Sequence, residues 1–291
     1  MTDSASPIPP DDSADPRAAH RAWRQARLAQ VSGPVGNTAL VDYQPVDAEE
    51  TPVRGLPATV WRVPGEPGVR VRPTGELALI TADGTRLVTG ETLVPSLGPD
   101  GFPLLRSGDI TVDAFSLDGT DSELRIYDAA APTRLAFAGI EVADYDPAWV
   151  LPAVFRPAPE IQRTPWGFTR ASDDGHTKAV PGTVEATIDG VEYSLTVFAD
   201  GHHLVLVFAD ATTGRTSYAP GRFLRFPGPA GAIGENAEPQ SLTLDFNRAF
   251  VPPCGFSDFY SCPIPPPQNR IRAAVNAGEL RATATTERPG H

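Results

Sequence analysis

The chain has a single lysine, Lys178, and a single methionine, Met1. Positive charge therefore rests on arginine, and Schiff-base or lysine-nucleophile chemistry is left with one possible position. No apolar run approaches the ~20 residues that cross a bilayer as a helix. There is no Gly-x-Ser-x-Gly elbow for serine catalysis and no glycine-rich loop that would cradle a phosphate. Cysteine is limited to Cys254 and Cys262, short of the four ligands, or three and a water, that zinc requires. His202 and His203 are the adjacent histidines that would have to complete such a site, but they follow Asp200-Gly201 in a turn that predicts exposure. No metal and no cofactor is expected. Asp173 and Asp174 precede Gly175 and His176 without an EF-hand pattern, and His176 reads as a solvated loop residue.

Basic residues are also outnumbered, 24 against 36 acidic, for a formal charge of -12. Nucleic-acid phosphates and anionic membrane surfaces would be repelled, so neither is an expected partner. The 32 prolines and a hydrophobic content of 41% favour short strands and many turns over helical bundles. Residues Met1 to Ala14 have no basic start, apolar core or small-residue cleavage site, so they do not read as a secretory signal, and a soluble, cytoplasmic protein is expected. In that compartment thiols stay reduced.

What is present reads as one helix followed by strands. Residues 1–14 contain little that could be buried and are expected to be a disordered tail. Asp15 suits an N-cap and Pro16 the first helical position. Ala19, Ala22, Trp23, Ala26 and Ala29 then recur at helical spacing until Ser32-Gly33-Pro34, which predicts a helix over 15–32 with Trp23 as its anchor. An N-terminal β-rich half follows over 33–146, with strands at Ala58 to Val63, Val69 to Arg72, Leu77 to Thr81, Arg86 to Thr89, Ile110 to Phe115 and Leu124 to Tyr127. Asp83-Gly84 reads as a hairpin turn, and Pro95 to Pro103 as a loop. The passage Pro147 to Pro165 fits either a joint or a strand at a sheet edge. The strongest β pattern follows it. Val184 to Ile188, Val191 to Phe198 and Leu204 to Phe208 are separated by Asp189-Gly190 and by Asp200-Gly201, and Arg222 to Phe226 and Ser241 to Phe246 add two strands around the loop Pro227 to Pro239. The expected fold class is mainly β, an antiparallel barrel or sandwich in two β-rich halves with one N-terminal α-helix. The second half spans 147–282, and a flexible tail occupies 283–291.

Polar residues concentrate at the ends of these later strands. In the turn from Phe208 to Tyr218, Asp210 can accept backbone N–H bonds, Gly214 can supply positive φ, and Tyr218 can pack with its hydroxyl bonded. Alternatively, Asp210, Tyr218 and Arg222 face a cavity at the barrel end, where a carboxylate, a phenol and a guanidinium would orient a polar ligand. Arg222, Arg248 and Arg270 each have an acidic candidate in the same segments, namely Asp210, Asp245 and Glu279. These are salt bridges holding long connections, or a positive pocket for a carboxylate or phosphate. Cys254 and Cys262 are either buried thiols or a redox pair, and a disulfide closing so short a loop would contribute about 2 to 3 kcal/mol by chain entropy.

Two segments carry a resemblance. The first is Asp210-Ala211-Thr212-Thr213-Gly214-Arg215-Thr216-Ser217-Tyr218 with Gly221-Arg222-Phe223-Leu224. The second is Asp245-Phe246-Asn247-Arg248-Ala249-Phe250-Val251-Pro252-Pro253-Cys254, continuing through Cys262-Pro263-Ile264-Pro265-Pro266-Pro267-Gln268-Asn269-Arg270 to Ala277-Gly278-Glu279. Together they resemble the signature of an uncharacterised bacterial family of domains of unknown function: D-T-G-TY-GR-L, then DFN-A-P-C, then CP-PP-EN and a terminal AGE. The likeness extends more faintly to Arg125-Ile126-Tyr127-Asp128, Phe137-Ala138-Gly139-Ile140, Asp146-Pro147-Ala148-Trp149 and Trp23-Arg24-Gln25-Ala26-Arg27-Leu28. Val251 stands in place of an asparagine, Gln268 of a glutamate, and Thr216-Ser217 of a Glu-Thr pair. An aromatic-rich stretch after the helix is reduced to Gly36-Asn37-Thr38-Ala39-Leu40. The resemblance implies no activity and assigns no role to any residue.

The sequence therefore leaves two function classes open. One is a small-molecule-binding protein or enzyme, with a polar pocket lined by Asp210, Tyr218, Arg222, Asn247, Arg248 and Asn269 and a small polar or anionic ligand. The other is a non-catalytic β scaffold or protein-interaction module in which the same residues fasten loops. Catalysis and oligomeric state are not readable.

Overall fold

The computed structural model describes residues 15–96, 103–115, 123–170, 177–228 and 238–285. The expected tail 1–14, the end of the chain beyond 285, the Asp173 to His176 turn and the tips of the loops after Pro95 and Pro227 lie outside the described residues. The protein is mainly antiparallel β with an N-terminal helix. Asp15 caps that helix as its position predicts: the Arg17 N–H donates to Asp15 Oδ1 at 2.9 Å and the Ala19 N–H to the Asp15 carbonyl at 3.1 Å. Pro16 opens α1 (Pro16–Ser32). Its buried residues, Ala19, His20, Trp23, Arg27 and Val31, recur every three to four positions and so occupy one face.

The described chain divides into two compact units, one of residues 29–137 and the other of the helix up to Leu28 together with Ala138 onward. The first holds β1 (Leu40–Pro45), β2 (Thr51–Pro52), β3 (Ala58–Trp61), β4 (Gly68–Pro73), β5 (Ala78–Thr81), β6 (Gly84–Leu87), β7 (Thr92–Pro95), β8 (Leu104–Ser107), β9 (Ile110–Phe115), β10 (Glu123–Asp128) and the short α2 (Pro132–Ala136). One sheet runs β1-β10-β9-β8-β5-β6 and a second β2-β3-β4-β7, all pairs antiparallel. Val60, Val69, Val71, Val94, Leu105, Val112 and Leu124 are among the side chains of its own core.

The second unit carries β11 (Phe137–Val142), whose residues from Ala138 belong to it, and β12 (Val150–Pro165), β13 (Thr177–Ile188), β14 (Val191–Asp200), β15 (His203–Phe208), β16 (Arg222–Pro227), β17 (Gln240–Asp245) and β18 (Glu279–Ala284). β11 pairs with β18, and the rest form one curved antiparallel sheet, a half-barrel in the order β16-β15-β14-β13-β12-β17. The β13–β14 hairpin turns on Asp189 and Gly190, both at positive φ (50° and 74°), as a type I′ turn requires.

Of the two readings of the Pro147 to Pro165 passage, the strand is the one found: it is β12, paired with β13 on one side and β17 on the other. One of its prolines is accommodated by a break in register. Pro157 faces Gly182, but the next pair is Gln162 with Val180, so Pro159 falls in a bulge where no ladder donor is needed. Beyond β17 the backbone crosses to the outer edge of β16, where Phe223 and Phe250 exchange N–H to carbonyl bonds at 3.0 and 2.8 Å. Phe155, Leu195, Leu206, Phe208, Leu224, Phe246 and Val275 fill the interior. The C-terminal run thus supplies core side chains and covers a sheet edge, while forming no long element of its own between Phe246 and Glu279.

Candidate functional site

The six residues singled out from sequence are placed in four separate networks of the second unit. Arg222, at the start of β16, is fully buried. Its Nη2 donates to Asp210 Oδ2 at 2.6 Å and to the Val275 carbonyl at 2.7 Å, and its Nη1 to the carbonyls of Ala277 and Glu279 at 2.6 and 3.0 Å. Asp210 turns its other oxygen to the Thr212 N–H and hydroxyl, so it caps the turn after β15 and pairs with Arg222 at once. Burial pulls the Arg222 guanidinium below its ordinary pKa, with Asp210 and Glu279 opposing. It remains charged, as arginine does throughout the neutral range.

Asn247 is also fully buried, in a 3-10 turn after β17. Its Oδ1 accepts from the Asp146 N–H and its Nδ2 donates to the Asp146 carbonyl, both at 2.9 Å, so its amide pairs with that peptide as a strand would. Its own carbonyl meets His20 Nε2 at 2.9 Å. His20 stacks on Trp23, and burial lowers its pKa. Arg248 reaches Asp245 at 3.5 Å, with its side chain 31% exposed.

Asn269 closes a gap in the sheet. The β14–β15 ladder runs from Asp200 opposite His203 to Val197 opposite Leu206 and then stops. At the next position Asn269 inserts its amide, with Oδ1 accepting from the Thr196 N–H and Nδ2 donating to the carbonyls of Thr196 and Val207, all at 2.8 Å. A side chain thus replaces the hydrogen bonds that the parting strands give up. Tyr218 lies apart from all of these, beside Cys254 and Cys262.

The pairings expected for Arg222 with Asp210 and Arg248 with Asp245 are present, but Glu279 does not pair with Arg270, which is exposed. Its partner is Arg27 of α1. Arg27 Nε donates to Glu279 Oε1 at 3.1 Å and Nη2 to the Val251 carbonyl at 2.7 Å, while the Val251 N–H donates to Glu279 Oε2 at 2.9 Å. The guanidinium also lies 4.9 Å from the Phe250 ring centroid. Burial pushes the Glu279 carboxyl pKa up, against Arg27 and the Val251 N–H. The sequence reading missed Arg27. The available signal was its place four residues from both Trp23 and Val31, on the face that the helix buries.

Two concavities of this unit, of about 600 and 370 Å³, are lined by none of the six residues. The larger crosses the sheet face at Pro152, Glu185, Glu192, Tyr193 and Ser241. The smaller is bounded by Arg21, Arg24, Gln25 and Leu28 of α1, by Gly139, Ile140 and Val142 of β11, and by Glu279. Among the described residues no group of three or more His, Cys, Asp and Glu side chains is placed to hold a metal ion, and no helix is long and apolar enough to cross a membrane.

Fold and site together define a class: an antiparallel β half-barrel whose irregular C-terminal run is held by buried arginine, aspartate and asparagine side chains. Residues 135–280, half of the chain, match the family model described as Protein of unknown function (DUF1684), and the chain belongs to that family. It is similar to an uncharacterized protein from gene locus rrnAC0354 of Haloarcula marismortui, solved by solution NMR. The identity is 31%, over 50% of this chain and 77% of that one, with a TM-score of 0.40. No curated protein matches.

Proposed function

We propose that the second unit is a non-catalytic β scaffold or interaction module in which the signature residues fasten loops. The observation that supports this most is the bonding of the two terminal nitrogens of Arg222. Both terminal nitrogens are spent on Asp210 and three backbone carbonyls, in a side chain with no solvent exposure, so neither is aimed at a ligand. Asn247 and Asn269 are used in the same way.

A second reading rests on the smaller concavity. Arg24 lines it and has no salt-bridge partner among the described residues, whereas Arg21 sits 3.6 Å from Asp15. Such a site suits a small anion.

A thermal-shift screen of wild type and Arg248→Ala against small acids, sugars and metals tests the proposal. The scaffold reading expects both proteins to be insensitive to ligand, with the melting temperature of Arg248→Ala only slightly lowered. Stabilisation of the wild type that disappears in Arg248→Ala would overturn it in favour of a pocket at the signature residues. Stabilisation by small acids that survives in Arg248→Ala but disappears in Arg24→Ala would place the ligand in the concavity.

A further inference from the structure

The smaller concavity, which lies wholly within the second unit, has two chemically different walls. On α1, Arg21, Arg24, Gln25 and Leu28 follow one another at helical spacing, so they form one stripe beside the face that buries Trp23 and Arg27. From Arg21 to Leu28 that stripe runs about 10 Å along the helix axis. The facing wall, β11, contributes Ile140, Val142 and the bare backbone of Gly139. It offers no polar side chain.

Positive charge is left over on the helical wall once the internal pairs are formed. Glu279 also borders the space, but its side chain is 2% exposed and both oxygens are taken, one by Arg27 and the other by the Val251 N–H. Arg24 acts on that carboxylate only beyond ion-pair distance. Arg21 lies 3.6 Å from Asp15 with both side chains more than half exposed, and such a pair is weak. Arg24 itself makes no hydrogen bond or ion pair through its side chain to any described residue, and neither does the Gln25 amide. In a chain of formal charge -12, this wall presents a guanidinium without a bonded counter-charge.

Apolar surface is left over as well. Leu28 is 44% exposed, and Ile140 and Val142 are only half-buried. One exposed leucine on a surface is ordinary, but three aliphatic side chains that stay partly exposed around a single concavity form a patch.

We infer that this concavity binds a small carboxylic acid bearing an apolar chain, with the carboxylate on Arg24 and Gln25 and the chain along Leu28, Ile140 and Val142. The inference rests on the anion reading of the concavity given above and narrows it; the signature residues fasten loops whether or not the space is filled. A guanidinium binds a carboxylate through two parallel N–H bonds, and the Gln25 amide adds a donor. Sulfate or phosphate would meet the same cation, but the oxygens turned toward β11 would lie against aliphatic carbon, where a polar group without a partner is disfavoured. A hydrocarbon chain in that position removes the aliphatic wall from water. The volume of about 370 Å³ is at the small end for a ligand site, which limits the occupant to one small molecule.

The test uses the whole chain at neutral pH, with acetate, butanoate and hexanoate as probes and sulfate, phosphate and hexanol as controls. Binding is followed by NMR through the amide resonances of α1 and β11. Hexanoate is expected to shift resonances of both walls saturably. It should bind on the order of tenfold more tightly than butanoate, since each buried methylene is a factor of about four. Hexanol should bind at least tenfold more weakly than hexanoate, and Arg24→Gln should weaken hexanoate to the same degree, because the charge-assisted bonds are lost. Leu28→Gln should keep acetate binding and lose most of the difference between butanoate and hexanoate. Both substitutions fall at exposed positions, so the melting temperatures should stay near that of wild type.

Equal binding of sulfate, phosphate, acetate and hexanoate at these walls would overturn the inference and leave the anion reading standing. No shift of either wall with any of the anions up to tens of millimolar would overturn both. Hexanol binding as tightly as hexanoate, or hexanoate binding unchanged by Arg24→Gln, would remove the guanidinium from the site and the inference with it. A dependence on chain length that survives Leu28→Gln would place the chain elsewhere and overturn it too. The probe series on wild type needs no variant, so a folding defect in either substituted protein leaves the result decisive.

Discussion

Replacing Asn269 with alanine removes one side chain and strands three backbone groups. The Thr196 N–H loses its acceptor, and the Thr196 and Val207 carbonyls lose their donor, at a point where β14 and β15 no longer pair. A buried polar group left without a partner costs about 1–3 kcal/mol. Carbonyls tolerate this better than N–H groups, and a water can enter the space vacated. Taking the low end for all three gives a loss of about 3 kcal/mol. For a unit of this size that lowers the melting temperature by roughly 6–12 °C. Calorimetry gives the global value, and hydrogen exchange at Thr196 gives the local one. The Thr196 amide should lose on the order of a hundredfold in protection, since each 1.4 kcal/mol is a factor of ten. Gln268→Ala, next door but exposed and bonded only to the Thr196 hydroxyl, is the control and should stay within about 0.5 kcal/mol of wild type. If Asn269→Ala melts with Gln268→Ala and protects Thr196 as well as wild type does, the amide is not a structural plug and the scaffold argument loses its clearest member.

Two further predictions concern the C-terminal motif. The Glu279 carboxyl has a folded-state pKa above its unfolded value near 4.5, so its contribution is fully present below that pH and is lost as pH rises through the higher folded value. The stability of wild type relative to Glu279→Gln, from urea unfolding at a series of pH values, should therefore fall as pH climbs from 4.5, and a flat difference would contradict the assignment. Gly278 has φ 71°, and a Cβ there would stand 2.4 Å from the Ala249 carbonyl oxygen. Gly278→Ala should cost at least ~2 kcal/mol, whereas Gly190→Ala, at similar φ with open space around it, should cost only the ~1 kcal/mol of strain; equal losses would show that the contact is relieved without expense.

How much of this was legible in the sequence depended on distance along the chain. Strands flanked by Asp-Gly turns were readable, because β13, β14 and β15 are joined by tight hairpins whose turn chemistry is local. β12 was ambiguous because its prolines argue against a central strand until the bulge opposite β13 is known. Arg222 and Asp210 lie twelve residues apart, and Arg248 and Asp245 three, so both pairs could be proposed from neighbourhood. Arg27 and Glu279 are 252 residues apart and could not. Asn269 acts on two strands far upstream of it, at a place defined only by where their pairing ends.

The resemblance of these residues to a binding site has a physical source. Apart from short 3-10 turns, the chain between Phe246 and Glu279 is irregular and rich in proline, so its carbonyls find few partners in a ladder, and proline supplies no N–H. Where such a segment is buried, side chains must satisfy the backbone. Arg222 takes the carbonyls of 275, 277 and 279, and Arg27 takes that of Val251. Arginine and asparagine suit this task for the reason they suit ligands, namely several donors in a fixed planar array. Each guanidinium then needs a counter-charge, which Asp210 and Glu279 supply. A sequence reader sees arginines, asparagines and acids clustered around strand ends and infers a pocket. The same inventory follows from burying an irregular chain, and the two readings part only when the donors are traced to carbonyls of the protein itself.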